Sequence, residues 1–299
     1  MGRRGWWVVV VVLGGALPGV AGAAPGASIR PIVFQTRMGE LAKINPDGTG
    51  RTVIAANPND EGILTIYHSP DLSADGTKVV FGECHVSYAP RAQSCWLNVV
   101  NVDGSGFRTV RSSGSVSPRW SPDGLRIAYS PVRDGASKII VVNEDGSGEK
   151  IIAEGSDPDW SPDGSQIVFS VEQLQRTSDD PPRGALFIVP ADGSRRARQL
   201  TRTFDTAPGG ATWSPDGKTI AFWVNGQVAL VNANGEKVRK GPVEKTRGGR
   251  VAWSPDSRRL AIADQVGDSN GTYPLYIHDL VTGTARLVTD DGGDDVGWS

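Results

Sequence analysis

A short motif recurs six times along this chain of 299 residues, and no other feature constrains the fold as strongly. Four copies are WSPDG or WSPDS, a fifth is the weaker LSADG, and the sixth is a truncated WS at the end of the sequence. They start at Leu72, Trp120, Trp160, Trp213, Trp253 and Trp298. A period of roughly 40 to 50 residues is typical of propellers and solenoids, in which each unit buries its apolar face only against a neighbour.

The residues between the motifs indicate strands. Each of the first five motifs is followed by two alternating apolar runs, such as RIAY and KIIVV, and then by a turn centred on a glycine, such as Asp145-Gly146. A third apolar run leads into the next motif. No stretch shows the apolar spacing of a long helix, so the unit is a four-stranded antiparallel propeller blade.

The two ends of the repeat complement each other. The segments PIVFQT, ELAKINPDG and RTVIA, which begin at Pro31, supply the second, third and fourth strands of a blade that lacks its first strand. The sequence DDVGWS at 294–299 supplies that strand, and pairing it there leaves no open sheet edge. We therefore predict an all-β protein, a six-bladed β-propeller closed by a C-terminal strand that completes the N-terminal blade.

The chain repeats the motif WSPDGxxIAF, followed by a strand, an Asp-Gly hairpin and a QLT or LVT strand. In these features it resembles the TolB-like six-bladed propellers, relatives of the WD40-like repeat proteins. The resemblance covers nearly all of residues 24–299. The protein after which this family is named carries an additional α/β domain before its propeller, and we expect no such domain here, since the strands of the ring start by about Pro31. The resemblance implies the propeller fold and a periplasmic, cell-envelope setting.

The first 23 residues have the features of a signal peptide. Arg3 and Arg4 precede an apolar run at 6–13, and Ala21-Gly22-Ala23 is a small-x-small cleavage pattern. An uncleaved anchor is the alternative, although a span needs about 20 apolar residues. The paired arginines leave Sec and Tat export open. We expect cleavage after Ala23, no integral span afterwards, a periplasmic or secreted location, and one propeller domain at 24–299.

The net charge limits the classes of partner that are expected, and the cysteines predict a crosslink. The formal net charge is −2, and removal of residues 1–23 takes away two arginines and no acid, so no electrostatic footprint for nucleic acid or an anionic membrane is expected. The two cysteines, Cys84 and Cys95, predict a disulfide that ties a loop of blade two; a zinc site would need further ligands. We expect a monomer.

Two patterns that suggest chemistry have structural explanations. The repeated tryptophans predict packing between blades, and Ser-Pro-Asp-Gly predicts a turn. Gly267-Asp268-Ser269-Asn270-Gly271 matches GxSxG, but it lies between two strands and predicts a loop, since a nucleophile elbow needs a strand before it and a helix after it. His68, His85 and His278 are assigned to different blades with no pairing at ligand spacing, although His68 alone could reach the centre of the ring.

Loop lengths distinguish the two faces of the ring. The motif-turn face carries the SPDG turns and the Asp-Gly turns, which are short. The long-loop face carries the connections between second and third strands and those leading into the first strands. The long connections are predicted at Glu83–Ser94, Val171–Gly184, Asp264–Thr272, Asn57–Asp71 and Thr203–Gly210. Variable loops on a rigid scaffold are where binding is usually found.

The residues one and three places before each motif are expected at the mouth of the central channel on the long-loop face. The charged ones are Asp71, Arg119, Asp157, Asp159, Arg250 and Asp295. They could bind a ligand by holding a cation or receiving the basic groups of a partner, or they could form salt bridges across the blades. Calcium is conceivable there from oxygen ligands, but no dedicated loop for it, no other cofactor and no metal site is evident.

We therefore predict an exported, non-catalytic scaffold that binds a protein or peptide ligand through its long-loop face. The alternative is a metal-assisted propeller enzyme, of the lactonase or lyase type, that acts on a small or sugar substrate at the channel mouth. A Tol-like envelope component is a third possibility. The fold alone does not choose between them.

Overall fold

In the computed structural model, 24 strands and no helix are found within residues 30–57, 63–88, 91–112, 115–131, 137–173, 183–242, 250–263 and 274–298, which are the residues that the structure describes. The predicted signal peptide at 1–23 lies outside these residues. So does the GxSxG pentapeptide at 267–271.

The strands form six antiparallel sheets of four, and the predicted blade composition is confirmed. In chain order the strands are β1 (Ile32–Thr36), β2 (Leu41–Ile44), β3 (Thr52–Ala55), β4 (Ile63–Leu72), β5 (Lys78–Tyr88), β6 (Arg91–Asn101), β7 (Arg108–Arg111), β8 (Ser115–Trp120), β9 (Arg126–Pro131), β10 (Lys138–Asn143), β11 (Lys150–Glu154), β12 (Ser156–Trp160), β13 (Gln166–Gln173), β14 (Arg183–Pro190), β15 (Arg198–Gln199), β16 (Gly209–Trp213), β17 (Thr219–Val224), β18 (Gln227–Asn232), β19 (Arg239–Lys240), β20 (Val251–Trp253), β21 (Arg259–Ala263), β22 (Leu275–Asp279), β23 (Ala285–Thr289) and β24 (Gly292–Gly297). Blade 1 is β24-β1-β2-β3, and blades 2 to 6 follow with β4 to β23 in order.

The ring closes through blade 1, as the sequence predicts. β24 pairs antiparallel with β1, with Val33 opposite Gly297 and Phe34 opposite Val296. The inner strands β24, β4, β8, β12, β16 and β20 contact one another in a closed cycle around a central channel.

Six apolar clusters hold the blades together, one between each pair of neighbours. Each cluster contains the first residue of one motif, and those residues are Leu72, Trp120, Trp160, Trp213, Trp253 and Trp298. All six are buried. The tryptophans therefore pack between sheets, because a large apolar side chain at an equivalent position of each blade fills the space between two sheets.

The motif turn is closed by its serine and aspartate. In blade 3 the Ser121 hydroxyl donates to Asp123 and accepts the amide of Arg126 at 2.9 Å, while Asp123 accepts the amide of Leu125 at 3.0 Å. The same bonds recur around Ser73, Ser161, Ser214 and Ser254. The hydrogen bonds hold the pKa of these aspartates below its usual range, that of Asp75 at about 2.

Two of the predicted long connections contain strand where a loop was expected. β5 and β6 pair from Lys78 to Tyr88 and from Arg91 to Asn101, so residues 83–88 and 91–94 of the connection predicted at Glu83–Ser94 belong to paired strands. Residues 63–71, predicted to be part of the connection into blade 2, belong to β4. In blade 2 the alternation of side chains between the two faces of the sheet continues beyond the ring. Pairing among β4, β5 and β6 satisfies backbone donors and acceptors in this extension.

The other connections are described in part. β13 extends to Gln173 and β14 begins at Arg183, so the middle of the blade 4 connection lies outside the described residues. The blade 6 connection at Asp264–Thr272 also lies outside them. The segment Thr203–Gly210 folds back on blade 4, where Phe204 bridges Gly184. Within the described residues no helix is long and apolar enough to cross a membrane.

Candidate functional site

The charged residues of the central channel are positioned by a repeated irregularity of the inner strands. The pairing register shifts just before the motif in β4, β8, β12 and β16. The residue three places before the motif there has a positive φ: Ser69 (56°), Ser117 (64°), Asp157 (52°) and Gly210 (57°). A bulge redirects side chains and bends the strand. In these strands the bulge lies beside two layers of channel residues. One layer holds the residues one place before the motif, and the other holds those three places before it.

Arg250 spans the channel in the layer further from the motif. Its Nε lies 2.9 Å from Asp295 Oδ1, and its Nη2 lies 3.3 Å from Asp157 Oδ1 and donates to the Ser117 hydroxyl. One guanidinium from blade 6 thus contacts blades 1, 3 and 4. Asp295 also accepts the backbone amide of Ser69 in blade 2 at 2.8 Å, so the layer connects five of the six blades.

Asp71, Arg119 and Asp159 form the layer nearer the motif. Arg119 Nε lies 3.5 Å from Asp159 Oδ1. Asp71 accepts the amide of Trp120 at 2.8 Å, and Asp159 accepts the amide of Trp213 at 2.7 Å. Each carboxylate therefore binds the motif residue of the next blade and fastens neighbouring inner strands together.

Burial dominates the titration of this layer. Desolvation raises the pKa of Asp159 to about 6, against the lowering effect of Arg119 and of the Trp213 amide. Desolvation raises the pKa of Asp71 as well. In the other layer, burial lowers the pKa of Arg250, with Arg119 acting in the same direction and Asp295 and Asp157 opposing. The network therefore depends on its ion pairs to keep these groups charged.

A cavity of about 260 Å³ lies beside the layer nearer the motif. Asp71, Arg119 and Asp159 line it together with the motif tryptophans and prolines. Those prolines belong to the motif-turn face, so these three residues face that side, whereas the sequence placed the charged rim on the long-loop face. For these three residues the structure differs from the expectation, because the inner strands end at the motif turns and the residue before the motif is close to that end. Asp157, Arg250 and Asp295 do not line this cavity.

All six predicted channel residues are thus brought together. Arg119 pairs with Asp159, and Arg250 pairs with Asp157 and Asp295, whereas Asp71 bonds to a backbone amide. Ligand binding by them stays a prediction. Within the described residues no group of three or more His, Cys, Asp or Glu side chains is placed to hold a metal ion. Calcium at the channel mouth likewise stays a prediction.

His68 connects the channel to the disulfide. The predicted Cys84–Cys95 bond is formed, between residues directly opposite each other in β5 and β6. His68 Nε2 lies 3.2 Å from Cys84 Sγ and Nδ1 lies 3.4 Å from the Ser69 hydroxyl. Burial lowers the pKa of His68. His68 and His85 both belong to blade 2, on β4 and β5, so their assignment to different blades was wrong.

Blade 2 carries a second cluster that the sequence did not reveal. β4, β5 and β6 extend beyond the ring on the long-loop side, and we call this extension, Ile63–Tyr67 with Glu83–Ser87 and Ser94–Trp96, the blade 2 platform. His85 Nε2 lies 2.7 Å from Glu83 Oε1, the other oxygen of Glu83 accepts Asn98 Nδ2 at 2.5 Å, and the rings of His85 and Trp96 are 4.6 Å apart.

Tyr67 completes this cluster from the inner strand. Burial, together with the nearby Glu83, raises the pKa of Tyr67 to about 12. Treating 83–94 as a loop hid the cluster, although the alternation of Glu83, His85 and Ser87 with Cys84 and Val86 was a signal for a continuing strand.

Comparisons with known proteins agree with this architecture. The Tol-Pal system protein TolB of Syntrophus aciditrophicus is 49% identical over 53 residues, which is 17% of this chain and 12% of that protein. The crystal structure of TolB from Acinetobacter baumannii superposes with a TM-score of 0.68 at 18% identity, covering 90% of this chain and 65% of that chain. An oligogalacturonate lyase in complex with manganese superposes with a TM-score of 0.51 at 16% identity, covering 86% and 71%.

These likenesses to solved structures show the fold alone, and the chain spans less than two thirds of the length of either TolB protein. The family model described as the TolB beta propeller domain matches residues 70–299, which is most of the chain. With its six blades, its motif tryptophans between the sheets and its closure through β24, this chain belongs to the TolB β-propeller domain family.

Proposed function

We propose that this protein is an exported, non-catalytic scaffold that binds a protein or peptide ligand through the blade 2 platform on its long-loop face. The observation that carries the proposal is the platform itself, a three-stranded extension that within the described part of the chain occurs in blade 2. β5 and β6 are paired over their full length, and the disulfide joins them in the middle. A preformed surface loses little entropy when it binds a partner.

The platform presents side chains that suit a protein interface. Ile63 and Leu64 are 39% and 40% exposed at its tip, and Trp96 is partly exposed beside His85 and Glu83. Met38, in the neighbouring hairpin of blade 1, is also exposed. Asn57 donates to the carbonyl oxygens of both Met38 and Thr65, which fixes this hairpin against the platform. Aromatic and apolar anchors flanked by polar groups are typical of binding hot spots.

The extracytoplasmic setting is supported by the signal-peptide features of residues 1–23, by the disulfide and by the family. A relative that matches part of the chain is named as a component of the Tol-Pal system, which supports a cell-envelope role.

Site-directed photocrosslinking tests the proposal. A photoreactive amino acid at Leu64 should yield a discrete crosslinked protein when the chain is expressed in its host, and Trp96→Ala should diminish that product. The same photoreactive residue at Leu125, an exposed position on the motif-turn face, is the matched control. Equal products from Leu64 and Leu125, or a Leu64 product unaffected by Trp96→Ala, would contradict the proposal.

A metal-assisted enzyme is the second candidate, favoured by the Glu83–His85 pair at 2.7 Å and by the structural likeness to the oligogalacturonate lyase. The described residues do not fit a metal, since no set of three ligands converges among them. Elemental analysis of the purified protein, together with an assay for cleavage of oligogalacturonate with added manganese, tests this candidate. Stoichiometric metal with turnover that Glu83→Gln abolishes would favour the enzyme over the scaffold.

A further inference from the structure

The small net charge of the chain hides an uneven distribution around the motif-turn face. At the turns of blades 2 and 3 the carboxylates outnumber the cations, and several of the cations are paired. Lys78 and Arg108 each contact Glu144 at 2.7 Å, and Arg126 contacts Asp123 at 3.3 Å. This half of the face therefore presents little free positive charge.

Blades 4, 5 and 6 differ from this pattern. Seven exposed cations at their turns and adjoining outer strands have no carboxylate within 4.0 Å among the described residues, and we call them the basic arc. They are Arg195, Arg196, Arg198, Lys237, Arg239, Lys240 and Arg258. The aspartates on this half are the turn residues that recur around the ring, such as Asp163 and Asp216, which hydrogen bond within their own turns. The difference in charge between blades 2 and 3 and blades 4 to 6 therefore arises mainly from the number of unpaired cations.

The turn of blade 4 departs from the repeat in a way that creates this charge. In blades 1 to 3 the turn ends in a glycine of positive φ, at Gly50, Gly106 and Gly148. A Cβ at each of these glycines would lie 2.7 Å from the asparagine side chain that opens the turn. In blade 4 the asparagine is replaced by Pro190 and the glycine by Arg195. The turn geometry of the repeat does not require an arginine there.

The members of the arc lie along adjoining blades. Arg198 lines a groove of about 520 Å³ together with Pro215 and Asn234 of blade 5. The amide of Asp216 in blade 5 donates to the Ser257 hydroxyl of blade 6 at 3.0 Å, beside Arg258. The arc is therefore continuous from blade 4 to blade 6.

Exposed aliphatic side chains lie next to these cations. Val238 is 39% exposed between Lys237 and Arg239, and Val281 is 76% exposed in the turn whose Leu280 amide donates to the Arg258 carbonyl oxygen. The described turns of this face are short, so the face has no tall loops to keep it from a planar partner. Cations beside aliphatic side chains on such a face match the headgroup and upper acyl regions of an anionic bilayer.

We propose that the basic arc docks the propeller onto an anionic lipid bilayer with its motif-turn face toward the membrane. The blade 2 platform then points away from the bilayer, where a protein ligand has access to it. The aliphatic residues favour a membrane over an acidic polysaccharide, because a hydrated sugar polymer offers Val238 and Val281 no apolar environment.

Vesicle cosedimentation tests the proposal. The full chain should bind vesicles of phosphatidylcholine with 30% phosphatidylglycerol, and bind more weakly as ionic strength rises. Arg196→Gln/Arg239→Gln should weaken this binding about 25-fold, since each cation near such a surface contributes about fivefold. Val281→Asp should weaken it as well. The N-terminal apolar segment is common to all variants, so it does not account for differences between them.

The matched control is Arg37→Gln/Arg183→Gln, which removes the same charge from exposed cations on the long-loop face. This control should retain binding within about twofold, because these cations lie away from the bilayer. Three results would overturn the proposal: equal binding to phosphatidylcholine alone by all variants, equal weakening by the control pair, or arc-dependent binding of soluble polygalacturonate without binding to the anionic vesicles.

Discussion

Replacing Arg250 with methionine should destabilise the propeller strongly. Arg250 is buried, and its guanidinium contacts Asp295 at 2.9 Å and Asp157 at 3.3 Å. Removing one partner of a buried ion pair costs about 3–5 kcal/mol, because the charge left behind is desolvated and unpaired. Asp157 retains 29% of its side-chain exposure, so water can stabilise it in part.

We therefore expect the lower end of that range, a loss of about 3 kcal/mol in the free energy of unfolding. For a domain of this size the melting temperature should fall by about 6–12 °C. Thermal unfolding followed by circular dichroism measures the shift. Arg250→Lys should lie between the wild type and Arg250→Met, since a lysine keeps the charge but lacks the planar fork that contacts several groups at once.

Arg258→Met is the matched control, because Arg258 is exposed in the same blade and has no carboxylate within 4.0 Å among the described residues. It should change the free energy of unfolding by less than about 0.5 kcal/mol. If Arg250→Met melts within 1–2 °C of this control, Arg250 does not hold the inner strands together, and the structural role assigned to the channel network is wrong.

Three further predictions concern the neighbourhood of the channel. Cys84→Ala/Cys95→Ala should lower the free energy of unfolding by about 2–3 kcal/mol in denaturant titrations without changing the fold, and an unchanged midpoint would show that the extended hairpin is stable without its crosslink. Gly82→Ala should destabilise the protein because its Cβ would lie 2.2 Å from the His68 ring, and His68→Ala should rescue it; a double variant no more stable than Gly82→Ala refutes the clash. Because desolvation raises the pKa of Asp159 from 3.8 to about 6, the folded state binds more protons than the unfolded state between these values, and this carboxyl destabilises the fold as pH rises through that window. The melting temperature of Asp159→Asn relative to that of the wild type should therefore be higher at pH 7 than at pH 4. A difference in melting temperature that is the same at both pH values would contradict the raised pKa.

The channel network shows why these residues were found by sequence but wrongly interpreted in part. Counting back from the motif locates all six charged residues, since the repeat puts equivalent positions at equivalent places in every blade. The ion pairs between these residues could not be predicted in the same way. Arg250 contacts residues 45 to 133 positions away in the chain, as with Asp295 and Ser117, and nothing in its own blade indicates these partners.

The sequence alone determined the fold of this protein, because a motif with one buried tryptophan and one closed turn per unit is a local signal repeated often enough to fix strand number, blade number and closure. It also determined the disulfide pair, since the chain has only two cysteines. Tertiary structure decided toward which face each charged residue lies and that β5 and β6 continue beyond the ring. It also decided that the unpaired cations described on the motif-turn face lie mainly on blades 4 to 6. These properties depend on contacts between blades distant in sequence, and neither composition nor spacing carries information about them.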